Sequence, residues 1–182
     1  MIYIFSLILS FNLSFADQST IYFGKEINTC LDQETLWNQL DISLTDSENS
    51  DLWPNRSSTV AGSGIEEDSV IDVTYKSPIT SSTYSYSISD VTSPITFTYT
   101  AIAANHPFEG GAKITIEDQG NYRVLKWEGE YDTPESAWLS RRFFKIYSST
   151  FFKRLEKRIK KLENNKYIFI KDMGCLEVLL LN

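Results

Sequence analysis

The sequence predicts an α+β fold, a curved antiparallel sheet of about seven strands wrapped around one long C-terminal helix. Three features predict it. Most of the chain between residues 55 and 132 alternates apolar and polar side chains with period two, as strands with one dry and one wet face do. Residues 141–164 instead repeat apolar side chains every three or four positions, the stripe of an amphipathic helix. No other long stripe is available to cover the apolar face of such a sheet, so the two should pack together.

The first element is a leader. Residues 1–16, MIYIFSLILSFNLSFA, carry no charged side chain, and Ser14-Phe15-Ala16 puts small residues where a signal peptidase cuts. The run is shorter than the about 20 apolar residues a membrane span needs. A signal peptide is expected, with Asp17 opening the mature chain, although no Lys or Arg precedes the apolar core. The competing reading is a buried N-terminal strand or helix. Residues 17–164 would form the domain and residues 165–182 a C-terminal extension.

Within the domain, TIYFGKEI (residues 20–27) has strand character. Asp32 then caps a short helix, QETLWNQL, expected to end near Asp41. TDSENSDLWP (residues 45–54) forms a polar loop or a single helical turn. The meander follows. Ile71, Val73 and Tyr75 alternate with Asp72 and Thr74; Tyr84, Tyr86 and Ile88 with Ser85 and Ser87; Phe97, Tyr99 and Ala101 with Thr98 and Thr100. Ala112, Ile114 and Ile116 alternate with Lys113 and Thr115, then Leu125, Trp127 and Tyr131 with Lys126, Glu128 and Glu130. Between Ser77 and Thr100, 13 of 24 residues are Ser or Thr, which gives the meander a hydroxyl outer face. Turn signals separate the strands at Ser77-Pro78, Ser93-Pro94, Asn105-His106-Pro107, Gly110-Gly111 and Gln119-Gly120-Asn121.

The long helix carries Phe144, Tyr147, Phe151, Leu155, Ile159 and Leu162 on its apolar stripe and Lys and Arg opposite. Thr133 as N-cap and Pro134 at the first helical position place its start near Pro134, with a break around Ser140. The tail KYIFIKDMGCLEVLLLN would add a strand or close one mouth of a cavity. Cys30 and Cys175 both survive removal of the leader, and in an oxidising compartment an even pair implies a disulfide. Two buried free thiols are the alternative.

Composition excludes several function classes. The chain of 182 residues has 17 Lys plus Arg against 24 Asp plus Glu, a net charge of −7 that opposes nucleic acid as a partner. One His and two Cys cannot build a four-ligand His/Cys zinc site. Glu66-Glu67-Asp68 with Asp72 lacks the ligand spacing and turn glycine of a Ca²⁺ loop, so a solvated acidic turn is expected there and no metal. Neither a P-loop nor a dinucleotide fingerprint is present, and no cofactor is expected. Charge divides unevenly: net −14 from Asp17 to Ser140 and +7 from Arg141 to Asn182. The basic helix face is expected to be solvated and partly neutralised by the acidic sheet rim, without membrane contact.

In order and spacing, INTCLDQETLW after the first strand, DLWP, GSG, YSYSI, NHPFEGG before AKITIED, and YRVLKWEGEYD before the long helix resemble the START-like, or helix-grip, superfamily. That superfamily includes Bet v 1 allergens, polyketide cyclase-like proteins and abscisic-acid receptors. The resembling stretch runs from about Thr20 to Asn164. The resemblance implies a cavity between sheet and helix that holds a small hydrophobic or amphipathic molecule. It also implies that the loop with His106 and Phe108 closes that cavity.

The residues agree in part. Tyr75, Tyr84, Tyr86, Phe97, Tyr99 and Trp127 share the inward parity, and Phe144, Tyr147 and Phe151 lie on the helix stripe. Aromatics with polar tips on one concave surface suit a ligand pocket; a filled core is the plainer reading. Arg123, Glu109 and His106 are the candidate acid–base groups if the cavity houses a cyclase, dehydratase or isomerase. An exposed loop is the ordinary setting for His106, and a strand edge for Arg123. The favoured expectation is a monomeric secreted or periplasmic carrier of a small apolar molecule. An enzyme in the same cavity is the alternative, and a protein-binding surface over a filled core is the third.

Overall fold

The computed structural model describes residues 18–45, 56–61, 64–76, 81–102, 108–134, 138–163, 167–170 and 174–177. The leader, the TDSENSDLWP segment after Thr45, the Ser77-Pro78 turn and His106 lie outside them. The chain runs β1 (Gln18–Thr29), α1 (Gln33–Thr45), β2 (Arg56–Ala61), β3 (Val70–Lys76), β4 (Ser81–Thr92) and β5 (Thr96–Ala101). It continues with β6 (Glu109–Asp118), β7 (Arg123–Pro134), α2 (Trp138–Leu162), β8 (Tyr167–Ile170) and β9 (Gly174–Glu177). Seven strands form one sheet in the order β1-β7-β6-β5-β4-β3-β2. Every pairing in it is antiparallel.

Register confirms the parity argument. Ile71 faces Tyr86, Ile88 faces Tyr99, Tyr99 faces Ala112, and Ile114 lies between Phe97 and Trp127. These positions form one continuous apolar face. On the other face the hydroxyls pair across strands: Thr74 with Thr83 at 2.9 Å, and Ser85 donating to Asp72 at 2.6 Å. A two-residue period allows this because each pairing keeps like parity on the same side.

The core lies between the apolar face, α1 and α2, where Leu36, Leu40, Phe151, Leu155 and Ile159 are buried. Burying each such side chain stabilises by about 1.5–3 kcal/mol before chain entropy is set against it. Asp32 caps α1, its carboxylate accepting from the Thr35 N–H and hydroxyl at 2.8 Å each. The backbone donor Thr35 holds the Asp32 carboxyl below its ordinary value. Rather than ending near Asp41, α1 continues to Thr45, because Leu44 prolongs its buried side. Asp41 is then available as an acceptor for the Ile65 N–H at 2.9 Å. Burial pushes the Asp41 carboxyl up.

Thr133 and Pro134 do not start α2. They end β7, paired with Ser19 and Gln18 of β1, and Thr133 is fully buried. Full-length pairing with β1 outweighs the capping signal, and α2 runs unbroken through Ser140 from Trp138. Among the described residues the tail adds no strand to the main sheet; β8 and β9 pair with each other. Their anchor is the Cys30–Cys175 disulfide, which spans 145 residues with Cα atoms 5.5 Å apart. Beside it the Cys175 N–H donates to the Asn121 carbonyl at 3.3 Å. Glu163, after α2, accepts from the Thr29 hydroxyl at 2.6 Å and the Cys30 N–H at 2.8 Å. One end of the grip is thereby tied together by β1, α2, the β6–β7 turn and the C-terminal hairpin.

Candidate functional site

The apolar face divides into two halves of different character. Towards the tied end, Trp127 is only 3% exposed and packs against Phe151 and Phe152, with ring centroids 5.2 and 5.0 Å away. Phe97 is fully buried, its ring 5.5 Å from Trp37 of α1. This half is filled: a large aromatic from each layer meets another at near-perpendicular planes, the arrangement aromatic quadrupoles favour.

Towards the other end, Phe108, Tyr131 and Ala101 form a second buried cluster, against which Phe23, Tyr86, Tyr99 and Phe144 are packed but partly exposed. Tyr131 is its centre. The Tyr131 ring lies 5.0 Å from Phe144, 5.7 Å from Phe23 and 6.0 Å from Phe108. Phe108 reaches Phe144 at 5.6 Å, joining the end of the His106 loop to the long helix. Gly129 makes room for Phe23. A Cβ at Gly129 would stand 2.5 Å from the Ala112 Cβ and 2.8 Å from the Phe23 ring.

The predicted site residues therefore separate. Phe97, Trp127 and Phe151 belong to the packed half. Tyr86 and Tyr99 are packed against both clusters, Phe144 borders the second with Phe108, and Tyr84 is half-buried on the same sheet face. The side chains of Tyr75 and Tyr147, like His106, lie outside the described residues. Tyr99 links the halves, since its phenol oxygen accepts from the Trp127 indole N–H at 3.0 Å.

Of the proposed acid–base groups, Glu109 and Arg123 are not brought together. Glu109 opens β6 opposite Asp132, is exposed, and has the outward parity. Arg123 opens β7 at the far end of the same hairpin and pairs with Asp118 at 3.2 Å. The two ends of β6 are nine residue steps apart, roughly 30 Å. Although Arg123 has the inward parity, it is committed to the hairpin end.

Within the acidic cluster, Glu67 is engaged by the backbone. Glu67 accepts from the N–H groups of Asp90 and Val91 at 3.2 and 2.8 Å, where β4 bulges. Among the described residues no group of three or more His, Cys, Asp or Glu side chains could hold a metal ion.

Phe23, Tyr131 and Phe152 were not among the candidates from sequence. Tyr131 carries the inward parity and was recoverable from it. Phe152 was recoverable as the residue three before Leu155 on the stripe. Phe23 was not recoverable, since its place follows from β1 pairing with β7 across the whole chain.

Among protein-family profiles and curated protein sequences, nothing matches the chain. Solved structures do. The chain is similar to Ara h 8.0201 at 16% identity and a TM-score of 0.59, over 79% of this chain and 99% of that one. It is similar to norcoclaurine synthase from Thalictrum flavum, solved with dopamine and hydroxybenzaldehyde, at 15% identity and a TM-score of 0.58. That match covers 86% of this chain and 96% of the synthase. The di-domain ARO/CYC StfQ from the steffimycin biosynthetic pathway matches at 11% identity and a TM-score of 0.61, over 80% of this chain and 52% of its own. At these identities the likeness shows the fold: a START-like, Bet v 1-like helix grip.

Proposed function

We propose that the chain is a binding or carrier protein that holds a small hydrophobic or amphipathic molecule between the sheet and α2. The observation that carries this is the contrast between the two halves of the apolar face. One half is packed aromatic against aromatic. The other leaves Phe23, Tyr84, Tyr86, Tyr99 and Phe144 only partly covered. Partly covered aromatics on a concave surface supply apolar area for a ligand, and phenols supply a few orienting hydrogen bonds. The contacts of Phe108 with Tyr131 and Phe144 support a role for it in closing that end. The solved neighbours with this fold include a synthase holding aromatic compounds and an aromatase/cyclase, which supports a small-molecule role.

Carriage is preferred over catalysis because Glu109 and Arg123 stand at opposite ends of one hairpin. Export to a secreted or periplasmic location, with Asp17 as the first mature residue, is part of the proposal, as is a monomeric state. The disulfide supports export, since such bonds persist in oxidising compartments. Among the described residues no helix is long and apolar enough to cross a membrane. Titration with an apolar fluorescent probe tests the proposal. Saturable uptake that weakens in Phe144→Ala is expected; no uptake by the folded protein would leave the filled-core reading standing.

A further inference from the structure

We infer that the solvent face of α2 is a docking surface for an anionic phospholipid bilayer. The inference stands apart from the ligand reading, because it uses the side of α2 that faces away from the sheet. Arg142, Lys145, Lys153, Lys157, Lys160 and Lys161 are all exposed on this helix. Lys160 is bonded to Glu156 one turn earlier at 2.5 Å; among the described residues no carboxylate pairs with the other five. From Trp138 to Glu163 the chain carries net +7, against −14 for everything else.

A merely solvated face needs no particular arrangement of its charges, and this one has an arrangement. Arg142, Ile146, Lys153, Lys157 and Lys160 follow one another at spacings of three, four and seven, which keeps them on one side of the helix. From Arg142 to Lys161 the row is roughly 29 Å long at about 1.5 Å per residue. Lys160 and Lys161 complement the negative end of the helix dipole, but Arg142 and Lys145, the fifth and eighth residues of α2, lie too far from that end to gain from it. The helix dipole therefore does not account for them. In the same row Ile146 is 52% exposed, an apolar tip among cations.

The chemistry favours a bilayer over a protein or a nucleic acid. Protein interfaces enrich Arg and deplete Lys, whereas this row is mostly Lys. Lysine is a flexible point charge that suits a continuous negative surface rather than fixed, planar partners. A bilayer also meets the molecule from one side, leaving the acidic sheet pointing away, and the charge asymmetry orients the approach helix first.

The test is co-sedimentation of the full chain with phosphatidylcholine vesicles, with and without phosphatidylglycerol, at low and high salt. Binding only to the anionic vesicles, lost at high salt, is expected. Lys153→Glu/Lys157→Glu should weaken it by at least about tenfold with unchanged thermal unfolding. Lys113→Glu, on the outer sheet face, should not weaken it, which separates local from net charge. Lys145→Glu/Lys161→Glu provides a second variant should the first unfold. Equal binding to neutral vesicles, indifference to both double variants, or binding only to a DNA duplex or an acidic protein would overturn the inference.

Discussion

The Trp127 indole N–H donates to the Tyr99 phenol oxygen at 3.0 Å, reaching from β7 to β5 across the intervening strand β6. The two rings stand at 74° with centroids 5.9 Å apart. This contact marks the boundary between the packed half of the grip and the half-covered one. Tyr99→Phe removes the acceptor and strands a buried donor, so a loss of about 1–3 kcal/mol is expected. Urea unfolding followed by tryptophan fluorescence measures it; a loss below the error of the fit would mean that the bond does not form.

Trp127 and Phe144 should respond differently to truncation. Trp127→Ala opens a hole among Tyr99, Phe151 and Phe152, and should cost about 3–5 kcal/mol. Phe144→Ala, at a half-covered site, should cost less and change apolar-probe uptake more. Equal stability losses would contradict the division into two halves.

The alternation of the meander made the inner face legible: Tyr86, Phe97, Tyr99, Ile114 and Trp127 fall where period two puts them. Which of them face solid packing was not legible, because that depends on where α1 and the second half of α2 press down. Phe97 is covered by Trp37 from a helix some 60 residues away in sequence. Glu109 and Arg123 are both candidate acid–base groups by residue type and are only 14 residues apart, yet a hairpin with long arms sends its two ends apart. Thr133-Pro134 carried a genuine helix-start signal that pairing with β1 overrode. A local motif cannot report a strand joined to the sheet from the other end of the chain.

The disulfide closes a 145-residue separation and anchors a hairpin too short to stand alone. Cys30→Ser/Cys175→Ser should lower stability by up to about 5 kcal/mol on the chain-entropy account. Denaturant midpoints with and without dithiothreitol check this. The wild type should shift on reduction and the double variant should not; a wild type indifferent to reductant would show that the bond carries no stability.

Asp32 makes one pH dependence specific. Its folded pKa lies below the ordinary value of 3.8, so its contribution is present above 3.8 and lost as pH falls through the lowered folded value. Asp32→Ala should therefore cost about 1 kcal/mol at neutral pH and progressively less in acid below 3.8. Asp41 has the opposite sign. With a raised folded pKa, its contribution is full below 3.8 and disappears as pH rises through the folded value. Thermal unfolding of Asp32→Ala and Asp41→Asn across the acid range should show the two trends diverging; parallel curves would contradict both assignments.

The central claim is that the half-covered end of the grip holds a small apolar molecule. Native mass spectrometry of the protein purified without denaturant from the cells that make it tests this most directly. A folded species heavier than the bare chain is predicted, with the added mass released on unfolding and diminished in Phe144→Ala. A folded protein at the mass of the bare chain alone, which also takes up no apolar compound offered in excess, would contradict it.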